Sequence, residues 1–275
     1  MQSFTYSMLL DPENKDPFYE KFLLQYSFFS SSNFILYHLA DTASEEEIFE
    51  LFMKPHGCVD DYKRKAMGMA AMMLEDNSPQ KNELRGLYLD RLLLDMVKKK
   101  ISSKQALCSI ININEFVMLY ATFEGAMKSL FLQKGILDES ASLKEKNVII
   151  LLENCLGSQK ADFLNILKSR SPIPTFNALN EFWLFFTLFR HLFFHSCGNI
   201  TKKWLTQYSK RKDSLMTALN SSDNIVEIGM IFDTIENLDL IEEQLFYAQD
   251  RFVNIFRNYI VRVVESIFIL NKDIH

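Results

Sequence analysis

The chain has 275 residues and a formal charge of −5, with an isoelectric point near 5.6. This excludes a basic protein that coats nucleic acid; any contact with RNA has to be made at a local patch. Eight glycines and six prolines are too few for a disordered chain or a turn-rich all-β one, and 24 phenylalanines point to thick helix–helix cores.

Cys58, Cys108, Cys155 and Cys197 stand far apart with no CxxC pair, so neither a structural zinc site nor a disulfide scaffold is expected. The N-terminus turns polar after ten residues, unlike a signal peptide. The longest apolar runs are broken by Arg or Lys before 18 residues, so no membrane span is expected. A cytoplasmic location fits these features, and no cofactor is implied.

Residues 1–17 read as an irregular arm with Pro12 and Pro17 as breakers. An apolar periodic pattern follows from Phe18-Tyr19 to about Leu39. Asp41 or Ser44 caps a short acidic helix over 45–53, stopped by Lys54-Pro55-His56-Gly57. Residues 60–75 read as a helix with a Met-rich face (Met67, Met69, Met72, Met73). Residues 83–100 carry Leu84, Leu87, Leu92 and Met96 near helical spacing and end in three lysines. A long helix starts at Ser102 or Ser103, runs to about Gln133 and closes at Gly135. Glu124 lies inside it, in an apolar segment where a carboxylate is most simply solvated or paired.

Two shorter helices, 144–155 and 159–169, are separated by Gly157. Pro172 and Pro174 then lead to a helix capped by Thr175 or Asn177; the almost solidly apolar stretch 181–201, EFWLFFTLFRHLFFHSCGNIT, begins inside it and runs past its end. Residues 202–212 are basic with aromatics interleaved. Residues 220–224 are a polar break, and 225–232 fit a strand or a helix equally. Residues 238–270 recur at spacings of three and four and predict one long helix. The whole predicts an all-α chain of about ten helices. The best boundary falls near Ile101, between a helical N-terminal region (1–100) and the remainder (101–275).

Arg190, His191 and His195 interrupt the apolar stretch. An unpaired buried arginine costs several kcal/mol or more, so Arg190 should face a cleft, a partner or a ligand. Gly198 is expected to end the helix, which places His195 in its last turn, where the dipole favours the imidazolium. A histidine supplies acid–base chemistry and an arginine a forked phosphate clamp. Together they suffice for metal-free RNA cleavage by the neighbouring 2′-OH, which DNA lacks. Five residues along a regular helix is a rotation of roughly 140°. Arg190 and His195 therefore need a distorted turn, or a second chain, to complete one site. His191 and His195 share a face as in HExxH zinc helices, but Leu192 replaces the glutamate and no third ligand is evident, so no metal is expected.

The pattern of Arg190, polar His191, an apolar stretch, His195 and later Gly198 resembles the signature of the HEPN superfamily of helical ribonucleases. Phe123-Glu124 is similar to the Phe-Glu pattern that places an acidic residue on the family's helix packed against the motif helix. The resemblance implies a HEPN-like bundle over 101–275, with the N-terminal region added. It implies a metal-independent endoribonuclease that leaves 2′,3′-cyclic phosphate and 5′-OH ends. The catalytic set would be Arg190, His195, His191 and Glu124. It further implies a homodimer with two Arg/His sets in one cleft, a setting in prokaryotic antiphage defence or a toxin–antitoxin pair, and an antitoxin or defence-system partner. Some members carry a modifiable Tyr two residues after the His; here Cys197 stands there, so that control is not implied. Lys202, Lys203 and Lys210 are expected to follow the RNA backbone beside the site, with Trp204 or Tyr208 stacking a base. The competing expectation is a non-catalytic helical module that binds nucleic acid or protein.

Overall fold

A computed structural model describes residues 16–57, 92, 95–138 and 140–272. The expected arm, except its last two residues, the Met-rich helix over 60–75 and most of the helix over 83–100 lie outside the described residues. Those described form nine α-helices and two 3₁₀ turns. The expected all-α class holds: among them there is no strand, only an isolated bridge between Asn199 and Leu245.

Local chemistry sets most helix starts. Helix α1 (Pro17–Thr42) begins where the Asp16 carboxylate accepts the Phe18 N–H at 3.0 Å. Pro17 fits the first turn, where its missing N–H costs nothing. Helix α2 (Glu45–Gly57) opens on a reciprocal pair: the Ser44 N–H donates to Glu47 Oε2 at 2.8 Å and the Glu47 N–H to Ser44 Oγ at 3.2 Å. It runs through Pro55 to Gly57, four residues beyond the expected end. Helix α3 (Ser103–Gln133) carries the same device between Ser102 and Gln105. Four helices follow: α4 (Val148–Leu156), α5 (Lys160–Arg170), α6 (Phe176–Ser196) and α7 (Lys202–Leu219). The ambiguous segment after residue 224 is helix α8 (Ile225–Glu236), its N-terminus capped by Asn224.

One boundary departs further. Helix α9 spans Asp250–Lys272, not 238–270. The apolar spacing over 238–249 is helical, but these residues are held as a strap. The Ile200 N–H donates to Gln244 O at 2.9 Å, the Phe246 N–H to Gly198 O at 2.9 Å, and the Leu245 N–H to the Asp95 carboxylate at 2.7 Å. Tertiary hydrogen bonds outweigh local periodicity here.

The core is aromatic. Phe116 of α3 meets Phe186 of α6 and Phe252 and Phe256 of α9 at ring centroids of 6.0, 5.5 and 4.8 Å. Trp183 of α6 stacks on Tyr120 of α3 at 4.4 Å. Each buried aromatic contributes on the order of 2–3 kcal/mol. Phe18, Tyr19, Phe22 and Tyr26 of α1 belong to this same cluster, so a cut at residue 101 would pass through one core. Buried Glu115 ties three helices together: it pairs with Arg257 of α9 and accepts from the Asn33 amide of α1 at 2.5 Å. Helix α3 is long and apolar enough to cross a bilayer, which the count of apolar runs did not anticipate. Of its most apolar window, 56% is buried within the protein.

Candidate active site at the end of helix α6

The site exists because α6 changes character along its length. Thr175 starts the helix, its Oγ1 accepting the Ala178 N–H at 3.1 Å. The middle is enclosed: Phe182, Trp183, Phe185, Phe186 and Phe189 are essentially solvent-free. The last two turns come back to the surface, and they carry Arg190, His191, Phe194 and His195. The helix keeps regular geometry through Ser196. Cys197 then takes a left-handed conformation at φ 46°, followed by Gly198 at φ 82°. The Gly198 N–H returns to Leu192 O at 3.0 Å. Left-handed backbone costs a non-glycine residue roughly 1–2 kcal/mol, offset here where the Gly198 and Ile200 carbonyls accept from the Phe246 and Glu243 N–H groups and the Ile200 N–H donates to Gln244 O.

The Arg190 guanidinium forms an ion pair with Glu145, and the His191 imidazole Nε2 lies 2.5 Å from the other oxygen of the same carboxylate. Two consecutive helix residues thus converge on one anion. Arg190 is also braced by aromatic faces, with its guanidinium carbon 4.8 Å from the Phe194 ring centroid and 5.6 Å from that of Tyr120. Glu145 opens the 3₁₀ turn Glu145–Asn147. Its backbone carbonyl accepts the buried Trp183 indole N–H at 2.7 Å, so the turn is anchored to the core below the site.

Glu145 is the residue that sequence reasoning missed. It lies 45 positions from Arg190 in a polar segment, Leu143-Lys-Glu-Lys-Asn147, with nothing to distinguish it from a solvated turn. Glu124, the carboxylate expected to serve Arg190, sits half-buried on α3. Burial pushes its carboxyl up to about 7; Arg190 opposes the shift and Glu145 adds to it. Glu124 therefore acts on Arg190 through the field, whereas Glu145 is the direct partner. Beneath them the Tyr120 hydroxyl and Thr187 Oγ1 are 2.8 Å apart, and Thr187 donates to Trp183 O. Burial raises the Tyr120 phenol far above its ordinary range, which keeps it neutral.

His195 is exposed, and its ring lies 5.6 Å from that of His191, inclined by 59°. Because α6 stays regular, the rotation between Arg190 and His195 remains, and no distorted turn brings them together. The structure gathers Arg190, His191 and Glu145 on one anion position, with Glu124 behind and His195 one turn further on. Among the described residues there is no group of three or more His, Cys, Asp or Glu placed to hold a metal ion.

The basic stretch after the site divides by face. Lys202, Lys203 and Lys210 are exposed on α7. Lys202 and Lys203 occupy its first turn, where the dipole disfavours cations, so helix stability does not account for them. The stacking role expected of Trp204 does not fit: the ring is 7% exposed, stacks on Tyr208 at 5.5 Å, and donates its N–H to Leu188 O at 3.1 Å. Tyr208 is buried too and donates to Ile235 O at 2.7 Å. An open groove of about 540 Å³ lies beside His191, lined in part by Lys144, Lys146, Leu184 and Arg211. Arg211 also pairs with Glu181 at 3.2 Å. A cavity of about 570 Å³ lies elsewhere, between α8 and α9. Its arginines, Arg251 and Arg262, pair with Asp233 and Glu227, and it holds none of the motif residues.

The chain matches no protein-family model, no curated protein and no solved structure. The chemistry of the site therefore has to be read from its own geometry.

Proposed function

We propose that the protein is a metal-independent endoribonuclease of HEPN type, with its site at the end of α6. The observation that carries this reading is the convergence of Arg190 and His191 on one anion position, with the exposed His195 one turn away. A phosphate at that position has a guanidinium and an imidazole as donors and a second imidazole within reach. In the reaction, the 2′-OH gives its proton to one histidine and its oxygen bonds to the adjacent phosphorus. The P–O5′ bond breaks, and the 5′-oxygen takes a proton from another acid. The products are a 2′,3′-cyclic phosphate and a 5′-OH.

His195 is the acid–base group, Arg190 and His191 hold the phosphate, and Glu124 tunes the charge around Arg190. The second acid–base group comes from a second copy of the chain, in a homodimer that brings two α6 ends together. Phe194, apolar and 56% exposed beside His195, is consistent with such a contact. Lys202, Lys203 and Lys210 guide the RNA backbone. A role in antiphage defence or as a toxin, with a cognate regulator in the cytoplasm, follows from the resemblance.

A second reading is favoured by one observation. The Arg190–Glu145–His191 contact also ties a surface turn to a core helix, as a structural clamp in a non-catalytic module would. The two readings separate on His195→Ala. The ribonuclease reading expects RNA cleavage to fall by about 10²–10⁴-fold in a protein that still folds. The clamp reading expects no cleavage by either protein.

A further inference from the structure

We infer that the Glu145 carboxylate occupies the position of a phosphate group, so that the free protein holds its own anion where a phosphate ester of the substrate binds. The inference rests on the ribonuclease reading for the identity of that ester, but the anion position stands on geometry alone. A carboxylate and a phosphate present the same pair of acceptor oxygens to a guanidinium. Here one oxygen is paired with Arg190 and the other is 2.5 Å from His191 Nε2. Both donors come from adjacent positions on a rigid helix. The position is partly open, with the Arg190 and Glu145 side chains 25% and 21% exposed and His191 lining the adjoining groove.

The carboxylate can leave without local unfolding. The Glu145 backbone is fixed by the Trp183 indole, so only side-chain torsions have to change. A staggered rotamer shift in a partly exposed residue is fast, on the ps–ns scale. Lys144 and Lys146 flank Glu145 in the chain and are exposed; they favour an incoming anion and can also receive the displaced carboxylate. Binding is therefore an exchange of one anion for another, in which phosphate must compete with Glu145. The carboxylate lowers the affinity of the site for every phosphate. It also keeps Arg190 and His191 paired when no substrate is present.

The test is phosphate binding by wild type, Glu145→Gln and Glu145→Ala, followed by titration calorimetry and by the imidazole NMR signal of His191. The probes are inorganic phosphate and an uncleavable deoxydinucleotide. Glutamine keeps the shape and the Trp183 anchor while removing the charge. Releasing one charge-assisted hydrogen bond to the ligand corresponds to roughly tenfold or more in affinity. Both variants should therefore bind inorganic phosphate about tenfold tighter than wild type, and adding Arg190→Ala should abolish the gain.

Equal or weaker binding by both variants, at unchanged melting temperature, overturns the inference. A gain for both probes assigns the position to an internal phosphodiester; a gain for inorganic phosphate alone assigns it to a terminal phosphate. Failure of the ribonuclease reading looks different: no variant cuts RNA, yet the gain in phosphate affinity remains.

Discussion

Replacing Glu124 by glutamine should make the protein more stable at pH 8 and leave it nearly unchanged at pH 4.5. Glu124 is half-buried on α3, and its carboxyl is pushed up to about 7 from an ordinary 4.5. The largest cause is burial, which penalises the charged form. Arg190 pulls the other way, and Glu145 adds repulsion. The folded state holds this proton more tightly than the unfolded chain, so the unfolded state ionises first as pH rises. Wild-type stability is then lost between about 4.5 and about 7 and is flat on either side of that window.

Without solvent the full linkage would be about 3 kcal/mol. Partial exposure screens the charge, which leaves roughly 1–2 kcal/mol. Glutamine stays neutral throughout and avoids this loss. Urea unfolding followed by far-ultraviolet circular dichroism, at pH 4.5 and pH 8, reads the difference directly. The variant should exceed wild type by roughly 1–2 kcal/mol at pH 8 and by a few tenths at pH 4.5. A difference independent of pH, or a less stable variant at pH 8, would refute the placement of Glu124 in a poorly solvated field.

Arg190→Ala should destabilise the fold by roughly 1–3 kcal/mol at pH 8, between the values for exposed and buried pairs, because Glu145 and Glu124 lose their shared cation. The cost should shrink at pH 4.5, where Glu124, its carboxyl pushed up to about 7 by burial, is protonated, and thermal melts at the two pH values check it. Trp204→Ala should cost about 3–5 kcal/mol through lost packing and the lost hydrogen bond to Leu188; a variant that melts like wild type but binds RNA less well would instead restore the stacking role. Neutralising Lys202, Lys203 and Lys210 together should leave the melting temperature within a degree or two of wild type, weaken RNA binding and flatten its dependence on salt; an unchanged salt slope marks the patch as inert.

What could be read in the sequence was local. The caps at Ser102 and Thr175 are short-range hydrogen bonds with recognisable residue types, so the starts of α3 and α6 were legible. Arg190, His191 and His195 were legible as interruptions in an apolar run, because their cost in a core is high. The start of α9 was not legible. Leu238, Ile241 and Leu245 keep helical spacing, and only the folded chain brings Asp95 and the 198–200 backbone to the strap. Glu145 was invisible for the same reason: its role depends on a turn docked 45 residues from its partner. Trp204 was a misreading of an available signal. Trp204 and Tyr208 are four apart and so share one face of α7, opposite the exposed lysines, although the sequence interleaves them.

The most direct measurement is cleavage of RNA by the protein in excess EDTA, with the product ends identified and His195→Ala run alongside. The account predicts 2′,3′-cyclic phosphate and 5′-OH ends, resistance of a substrate with 2′-deoxyribose at the cut position, and a loss of about 10²–10⁴-fold in the variant. Because His195 is exposed, its alanine variant should melt within about 0.5 kcal/mol of wild type. Ends bearing a 3′-OH, cleavage abolished by EDTA, or equal cleavage by wild type and His195→Ala would contradict it.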